Sequence, residues 1–403
     1  MKNSFINYAA TTKHANWKNI SQRNKELITS SDDIRLTFDR DYTRIIHCNA
    51  YRRLKHKTQV FFSPDSDHIC TRSEHVSHVE SISYTIANYF GLNTELTKAI
   101  AVAHDIGHSP FGHAGEKILS KISQRDLNCT FWHEKNGLDF VDKIELLEDK
   151  NNCKQNLNLT YAVRDGIISH CGEIDENALK PRTNYIDLSD YTEPNQYSPY
   201  TWEGCVVKIS DKISYLGRDI EDAISLGIID EHLSELYNLL PSSLVHKKIN
   251  NTNIINYLVI DLSKNSSPEK GLCFSKDAFN LLCKIKDFNY KNIYFSDRLQ
   301  PSIKFFELVI NQIYDTLKSC YAEYNTLSKI KSTLPKISFK LYISFLGFLS
   351  NYYNIENRHY LHLNNDIIFD FANIQDFSNC IIYYISGMTD KFAIEIYNDI
   401  IGF

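Results

Sequence analysis

Nothing in this 403-residue chain approaches the run of about 18 consecutive apolar residues that a membrane span requires. A membrane-embedded protein is therefore not expected. Ten cysteines are present, but no two of them form a CxxC pair, and their wide spacing reads as a set of reduced thiols. The opening Met1-Lys2-Asn3-Ser4-Phe5 contains no apolar signal segment, which with the thiols leads us to expect a cytoplasmic location. Positive charge is not in excess either: the formal net charge of −5 argues against a protein that coats nucleic acid. Strand-like alternation of apolar and polar residues is scarce.

What is present is globular in composition, with 43% hydrophobic and 23% charged residues, enough for one large or two fused domains. Apolar residues recur at steps of three and four almost throughout, so an all-α fold follows. One stretch stands out. Ala103 to Glu116 holds His104, Asp105, His108, His113 and Glu116. Upstream of it, Leu96, Ile100 and Val102/Ala103 form one apolar stripe, and Gly107 is a plausible stop, placing His104 and Asp105 on the last turn of a buried helix. Ser109-Pro110 reads as an N-cap and first helical residue of a helix through about Ser120, on which His113 and Glu116 share a face.

Two further segments are able to complete a metal site. Ser73 is a candidate N-cap for a helix with stripe Val76, Val79, Ile82 and Ile86, which puts His75 in its first turn beside Arg72. From Val206 to Ile224, a core stripe is flanked by Asp211, Tyr215 and Asp219 at four-residue steps. Two imidazoles with two carboxylates make a mixed nitrogen/oxygen set that suits Mn2+, Fe2+ or Zn2+ better than it suits a thiolate-bound metal.

The ordered set His75, His104-Asp105 and Asp211 resembles the signature of the HD-domain metallophosphohydrolases. The surrounding text resembles in particular the dGTPase-like deoxynucleoside triphosphate triphosphohydrolases. Matching segments are Arg44 to His47, Ala50 to Leu54, Lys57 to Val60, Thr71-Arg72, His104 to Glu116, Trp132 to Glu134, Asn158 to Thr160, Asp165 to Ile167 and Gly387 to Asp390. The resemblance implies a divalent metal, Mn2+, Fe2+ or Mg2+ with Zn2+ also compatible, held by His75, His104, Asp105 and Asp211. It implies attack of water at the α-phosphate and release of intact triphosphate, with His113 serving the leaving oxygen, Glu116 orienting it and His133 close to the reacting phosphate. Arg72 and Lys212 are implied near the phosphates, His108 near the α-phosphate, Tyr215 and Asp219 around the deoxyribose, and Gln59 near the sugar and base edge. A homo-oligomer is implied as well, and some relatives use a nucleotide activator or bind single-stranded DNA.

Bland alternatives stand beside these. His78 reads as a solvated side chain and His170 as structural. The basic run Arg40, Arg44, Arg52, Arg53, Lys55 and Lys57 with His47 and His56 has the composition of a nucleic-acid patch, although the family match favours structural or nucleotide roles. The expected organisation is an HD-type catalytic core over residues 1–230 and a helical accessory region over 231–403 that folds back on it. Residues 230–380 carry no assignable motif; 265–271 and 351–365 read as loops. The functional expectation is a metal-dependent dNTP hydrolase that lowers dNTP or dGTP pools, with a role in limiting phage replication. The competing readings are another HD-domain phosphohydrolase, and a non-catalytic regulator that binds nucleotides or nucleic acid.

Overall fold

A computed structural model of the chain describes residues 2–27, 32–62, 68–170, 177–241, 244, 251–355 and 358–402. The fold is all-α: helices account for nearly all the regular structure, and the one sheet among the described residues is an antiparallel ribbon of β1 (Leu146–Glu148) and β2 (Lys154–Asn156). The helices that position the site are α1 (Thr37–His47), α2 (Arg72–Phe90), α3 (Thr94–Ala103), α4 (Gly112–Leu127), α5 (His133–Asp139), α6 (Tyr161–Ser169) and α7 (Trp202–Ser225). They are followed by α8 (Asn251–Asn265), α9 (Lys276–Asn289), α10 (Gln300–Lys318), α11 (Thr326–Ile337), α12 (Phe339–Tyr352), α13 (Ile374–Ser386) and α14 (Asp390–Ile401).

The centre of the arrangement is α3. Leu96, Thr97 and every residue from Ala99 to Ala103 are buried, because α1, α2, α6 and α7 pack around it. Small alanines let those neighbours approach, and Asn93 starts the helix by accepting the Leu96 N–H at 3.0 Å. Helix α3 ends at Ala103 with His104 as its C-cap, two residues earlier than the expected last turn, so Asp105 lies in the following turn. There Gly107 is obligatory. A Cβ at that position would fall 2.1 Å from the His133 carbonyl oxygen and 2.2 Å from the Gly137 nitrogen, which is how closely α5 crosses.

Two starts differ from the expectation. Helix α2 is capped by Thr71 rather than Ser73: Glu74, three residues on, returns its carboxylate to the Thr71 N–H at 2.9 Å and completes a capping box. Arg72 is thereby the first residue of the helix. Helix α4 does not begin at Ser109-Pro110 but at Gly112, after Phe111 in the left-handed region at φ 63°. The Phe111 N–H is taken by the Asp390 carboxylate at 2.8 Å, and the Ser109 hydroxyl donates to the Gly112 carbonyl instead of capping an N–H.

The later helices cover this core. Helix α13 packs on α4 and α10, and α14 packs on α10 and α12. Two polar ties fix the junction: the Lys57 ammonium donates to the Ser386 carbonyl at 2.9 Å, and Asp390 accepts the Thr58 N–H at 2.8 Å. The loop expected at 265–271 opens at the last residue of α8; that at 351–365 opens later because α12 reaches Tyr352, and its residues 356 and 357 lie outside the described residues. No disulfide joins the described cysteines, Cys171 lying outside them, and no described helix is long and apolar enough to cross a membrane.

Asp390 is 5% exposed and satisfies one buried and one partly buried backbone donor. Leaving a buried donor unpaired costs about 1–3 kcal/mol. Asp390→Ala should therefore lower the unfolding free energy in urea by a few kcal/mol; a variant as stable as the parent would show that the two N–H groups find other partners.

Candidate metal and phosphoester site

Four side chains converge where α2, α3 and α7 meet. His75 Nε2 lies 2.9 Å from Asp211 Oδ1 and 3.7 Å from Asp105 Oδ2, and His104 Nε2 lies 3.5 Å from Asp105 Oδ1 and 3.8 Å from Asp211 Oδ1. All four are buried or nearly so. Their tautomers are set from behind. The Nδ1–H of His104 donates to the Ala101 carbonyl at 2.6 Å. Ser214 gives its own proton to the Asp211 carbonyl, so its oxygen accepts from His75 Nδ1 at 3.2 Å. Both rings thus turn Nε2 inward, the arrangement that metal-ligating histidines adopt. His104 Nε2 is buried with no hydrogen-bond partner, an orphaned acceptor that a cation would satisfy. The donor set, two imidazole nitrogens and carboxylate oxygens within ligand-to-ligand range, fits a divalent metal.

The charges are arranged to match. Burial by itself would raise the Asp211 carboxyl, but the His75 bond overrides it and holds the group at about 2. Burial acts likewise on Asp105, and His104 and Arg72 hold it well below the ordinary carboxylate range. Arg72 turns its guanidinium to the protein: it donates to Asp105 Oδ2 at 2.8 Å, the Gln59 carbonyl at 3.2 Å and the Thr58 carbonyl at 3.3 Å.

Beside this cluster stands a wall of imidazoles. His108 donates from Nε2 to Asp105 Oδ1 at 3.0 Å and stacks on His133 with ring centroids 3.7 Å apart. Burial, with Arg72 nearby, pushes His108 well below its ordinary value, so its ring is neutral. Glu116 joins two histidines rather than one: Oε2 meets His113 Nδ1 at 3.2 Å, and Oε1 accepts from both the His133 backbone N–H at 2.9 Å and His133 Nδ1 at 3.0 Å. Although burial opposes it, the paired histidines hold Glu116 well below the usual carboxylate range. His113 is the outermost of the group, its side chain 61% exposed at the mouth. His170, read from sequence as structural, instead lies in this wall, 4.9 Å from the His104 ring and 5.4 Å from the His133 ring; burial lowers it to about 3.

All of these except His104 line one cavity of about 500 Å3, and Gln59, Lys212, Tyr215 and Asp219 complete its sides. Every substrate-contact candidate read from the sequence therefore falls on the same wall. Asp219 accepts the Tyr294 hydroxyl at 2.5 Å, and burial raises its carboxyl to about 7. Tyr290, Tyr294 and Phe295 also line the cavity. They belong to the stretch in which no motif is legible, and only local aromatic density hinted at them. His78 is not in the lining. Of the basic run, Arg40 pairs with Asp33, Arg53 with Glu145, Arg44 with backbone carbonyls, and Lys57 is buried; Arg52, Lys55, His47 and His56 stay exposed.

Residues 72–216, which contain all four converging side chains, match the HD domain model. A deoxyguanosinetriphosphate triphosphohydrolase-like protein of Caldanaerobacter subterraneus is 31% identical over 91% of this chain and 86% of its own length. Proteins of the same description from Rickettsia bellii and Rickettsia felis are 31% and 30% identical, covering 90% and 93% of the chain and 91% and 94% of themselves. The chain belongs to the dGTP triphosphohydrolase-like family of HD-domain proteins. HD-domain proteins are metal-dependent phosphohydrolases, and the His/Asp cluster of this member is able to hold such an ion.

The raised Asp219 carboxyl makes a pH test. Its folded value of about 7 lies above the ordinary value of 3.8, so the folded state binds the extra proton between these limits and loses stability as pH rises through the window. Asp219→Asn removes this term. Its stability relative to the parent should improve from pH 5 to pH 8 in urea titrations; a constant difference would show that Asp219 ionises normally.

Proposed function

We propose that this protein hydrolyses deoxynucleoside triphosphates, dGTP or several dNTPs, to deoxynucleoside and inorganic triphosphate. The observation that carries the reading is the placement of the His75, His104, Asp105 and Asp211 cluster beside the His113-Glu116-His133 triplet, all but His104 lining one cavity that Lys117 and Lys212 also line. Those ammonium groups favour a polyanion such as triphosphate. The names of the relatives, dGTP triphosphohydrolase-like, support the nucleotide class.

His75, His104, Asp105 and Asp211 would hold a divalent ion, Mn2+, Fe2+ or Mg2+ with Zn2+ also compatible, which would supply Lewis-acid polarisation of the phosphoryl group and a lowered pKa for water. The chain's own residues do the rest. The oxygen of water bonds to the α-phosphorus and the bond from phosphorus to the 5′ oxygen breaks, so the departing oxygen needs a proton. His113 provides it. Glu116 holds its Nδ1, which leaves Nε2 as the atom that delivers the proton and recovers one lost by the water. His133, fixed by the same carboxylate and stacked on His108, closes the inner side. Arg72 acts chiefly by holding Asp105, with Lys212 as the phosphate-side cation. Tyr215 supplies the flat face against C2′ of the sugar, which leaves no room for a 2′-hydroxyl. Gln59 Oε1, buried without a partner, is an acceptor for the base or sugar edge. In this reading the protein is a cytoplasmic homo-oligomer that lowers dNTP pools, to the disadvantage of phage replication, and responds to a nucleotide activator or to single-stranded DNA.

The deciding experiment incubates the purified protein with each dNTP and NTP, singly and mixed, with Mn2+ or Mg2+, and separates products by ion exchange. Tripolyphosphate and deoxynucleoside are expected. Orthophosphate, pyrophosphate or a monophosphate would point to another HD-domain phosphohydrolase, and no product from any mixture would leave a binding protein.

Loss of a positioned acid/base group costs about 10²–10⁴-fold in rate. His113→Ala should lower turnover in that range while keeping bound metal, whereas Asp211→Ala should lose both, as read by metal analysis after gel filtration. Full metal in Asp211→Ala would remove it from the ligand set.

A further inference from the structure

Two histidines of this protein are built alike, and only one of them belongs to the four-residue cluster. His104 closes α3 and His170 closes α6. Each turns Nδ1 back to the carbonyl three residues earlier, Ala101 at 2.6 Å and Ile167 at 2.7 Å. A carbonyl oxygen only accepts, so in each neutral ring the proton sits on Nδ1 and Nε2 is left as an acceptor. His170 is 2% exposed and forms part of the cavity wall. One ligand atom each from His104, Asp105 and His170 lie within 4.8 Å of one another. On its other side the ring faces His133. His170 thus stands between the cation cluster and the proton-handling histidines.

An acceptor nitrogen has a restricted use in a cavity suited to a polyanion. It has no proton to offer a phosphoryl oxygen and repels one through their lone pairs. It is satisfied either by a cation, as at His104, or by a group that carries a proton; with the cation assigned to the four-residue cluster, water placed beside that cluster and the phosphorus is such a group. We propose that His170 Nε2 accepts a hydrogen bond from the water that attacks phosphorus, and so aims that water's lone pair. The inference rests on the hydrolytic reading above. In the step, one proton of the water ends on the 5′ oxygen through His113. The other, held toward His170, stays on oxygen and leaves as the new P–OH of triphosphate. His170 itself neither gains nor loses a proton.

Two variants separate this role from a structural one. His170→Asn keeps an N–H for the Ile167 carbonyl and removes the acceptor at the Nε2 position, whereas His170→Gln restores an acceptor oxygen near that position. Turnover is measured with dGTP and with bis(p-nitrophenyl) phosphate, both with Mn2+, alongside bound manganese and a crystal structure of the manganese-loaded parent. His170→Asn should lose about 10- to 100-fold in kcat, the scale of a misplaced reactant, with KM and bound manganese unchanged. His170→Gln should recover most of that loss, and the crystal should show a water within hydrogen-bond distance of His170 Nε2. Unchanged kcat in His170→Asn, manganese lost in parallel, no recovery in His170→Gln, or no water at Nε2 would each overturn the proposal. Turnover of the diester without turnover of any dNTP would sink the substrate assignment and leave the His170 comparison intact, and the crystal structure decides irrespective of turnover.

Discussion

The buried ion pair between Arg72 and Asp105 is the contact on which the site depends. Arg72 is the first residue of α2 and Asp105 lies in the turn after α3, so their 2.8 Å contact joins the start of one helix to the end of another. His75 is one turn beyond Arg72, and His104 immediately precedes Asp105. Fixing the pair therefore brings the two Nε2 atoms to the same point, opposite Asp211 on α7. Removing one partner of a buried pair costs about 3–5 kcal/mol, and here the loss of Arg72 would leave Asp105 held by imidazoles alone. Arg72 further grips the backbone at Thr58 and Gln59, so the pocket edge that carries Gln59 is set by the same guanidinium.

Much of this was legible in the residues, and the exceptions have physical causes. The stripe of α7 and its line of Asp211, Tyr215 and Asp219 follow from helical periodicity alone, as does the burial of α3. Ser73 was a reasonable cap in isolation; Thr71 prevails because Glu74 reaches back to it. Ser109-Pro110 has the local chemistry of a helix start, but the left-handed turn at Phe111 is held by a carboxylate 279 positions away, which no local pattern encodes. His170 escaped for a related reason. Its tie to Ile167 is local, but its importance comes only from standing next to His104 and His133, brought there by packing among α3, α5 and α6. Tyr294 is similar: a tyrosine in an unassigned stretch gains meaning only when its hydroxyl is found on Asp219.

The electrostatic arrangement divides the wall into two kinds of group. Burial keeps the His108 and His170 rings neutral, whereas Asp105, Glu116 and Asp211 remain ionised because each has imidazole or guanidinium partners. Fixed carboxylates organise neutral rings, and Lys117 and Lys212 line the same cavity. His113 differs from the others in being largely exposed. In the proposed mechanism His113 must exchange its proton with solvent between turnovers, and its place at the mouth provides for that.

The tie from Asp390 to Thr58 and Phe111 links the far end of the chain to the two segments that flank the cavity. During synthesis on the ribosome, helices α2 to α7 emerge long before residue 390 does. Until then the Phe111 turn lacks its anchor, and with it the start of the helix that carries His113 and Glu116. The order of synthesis thus makes the start of that helix wait for the segment around Asp390, whatever the local sequence at Ser109-Pro110 favours.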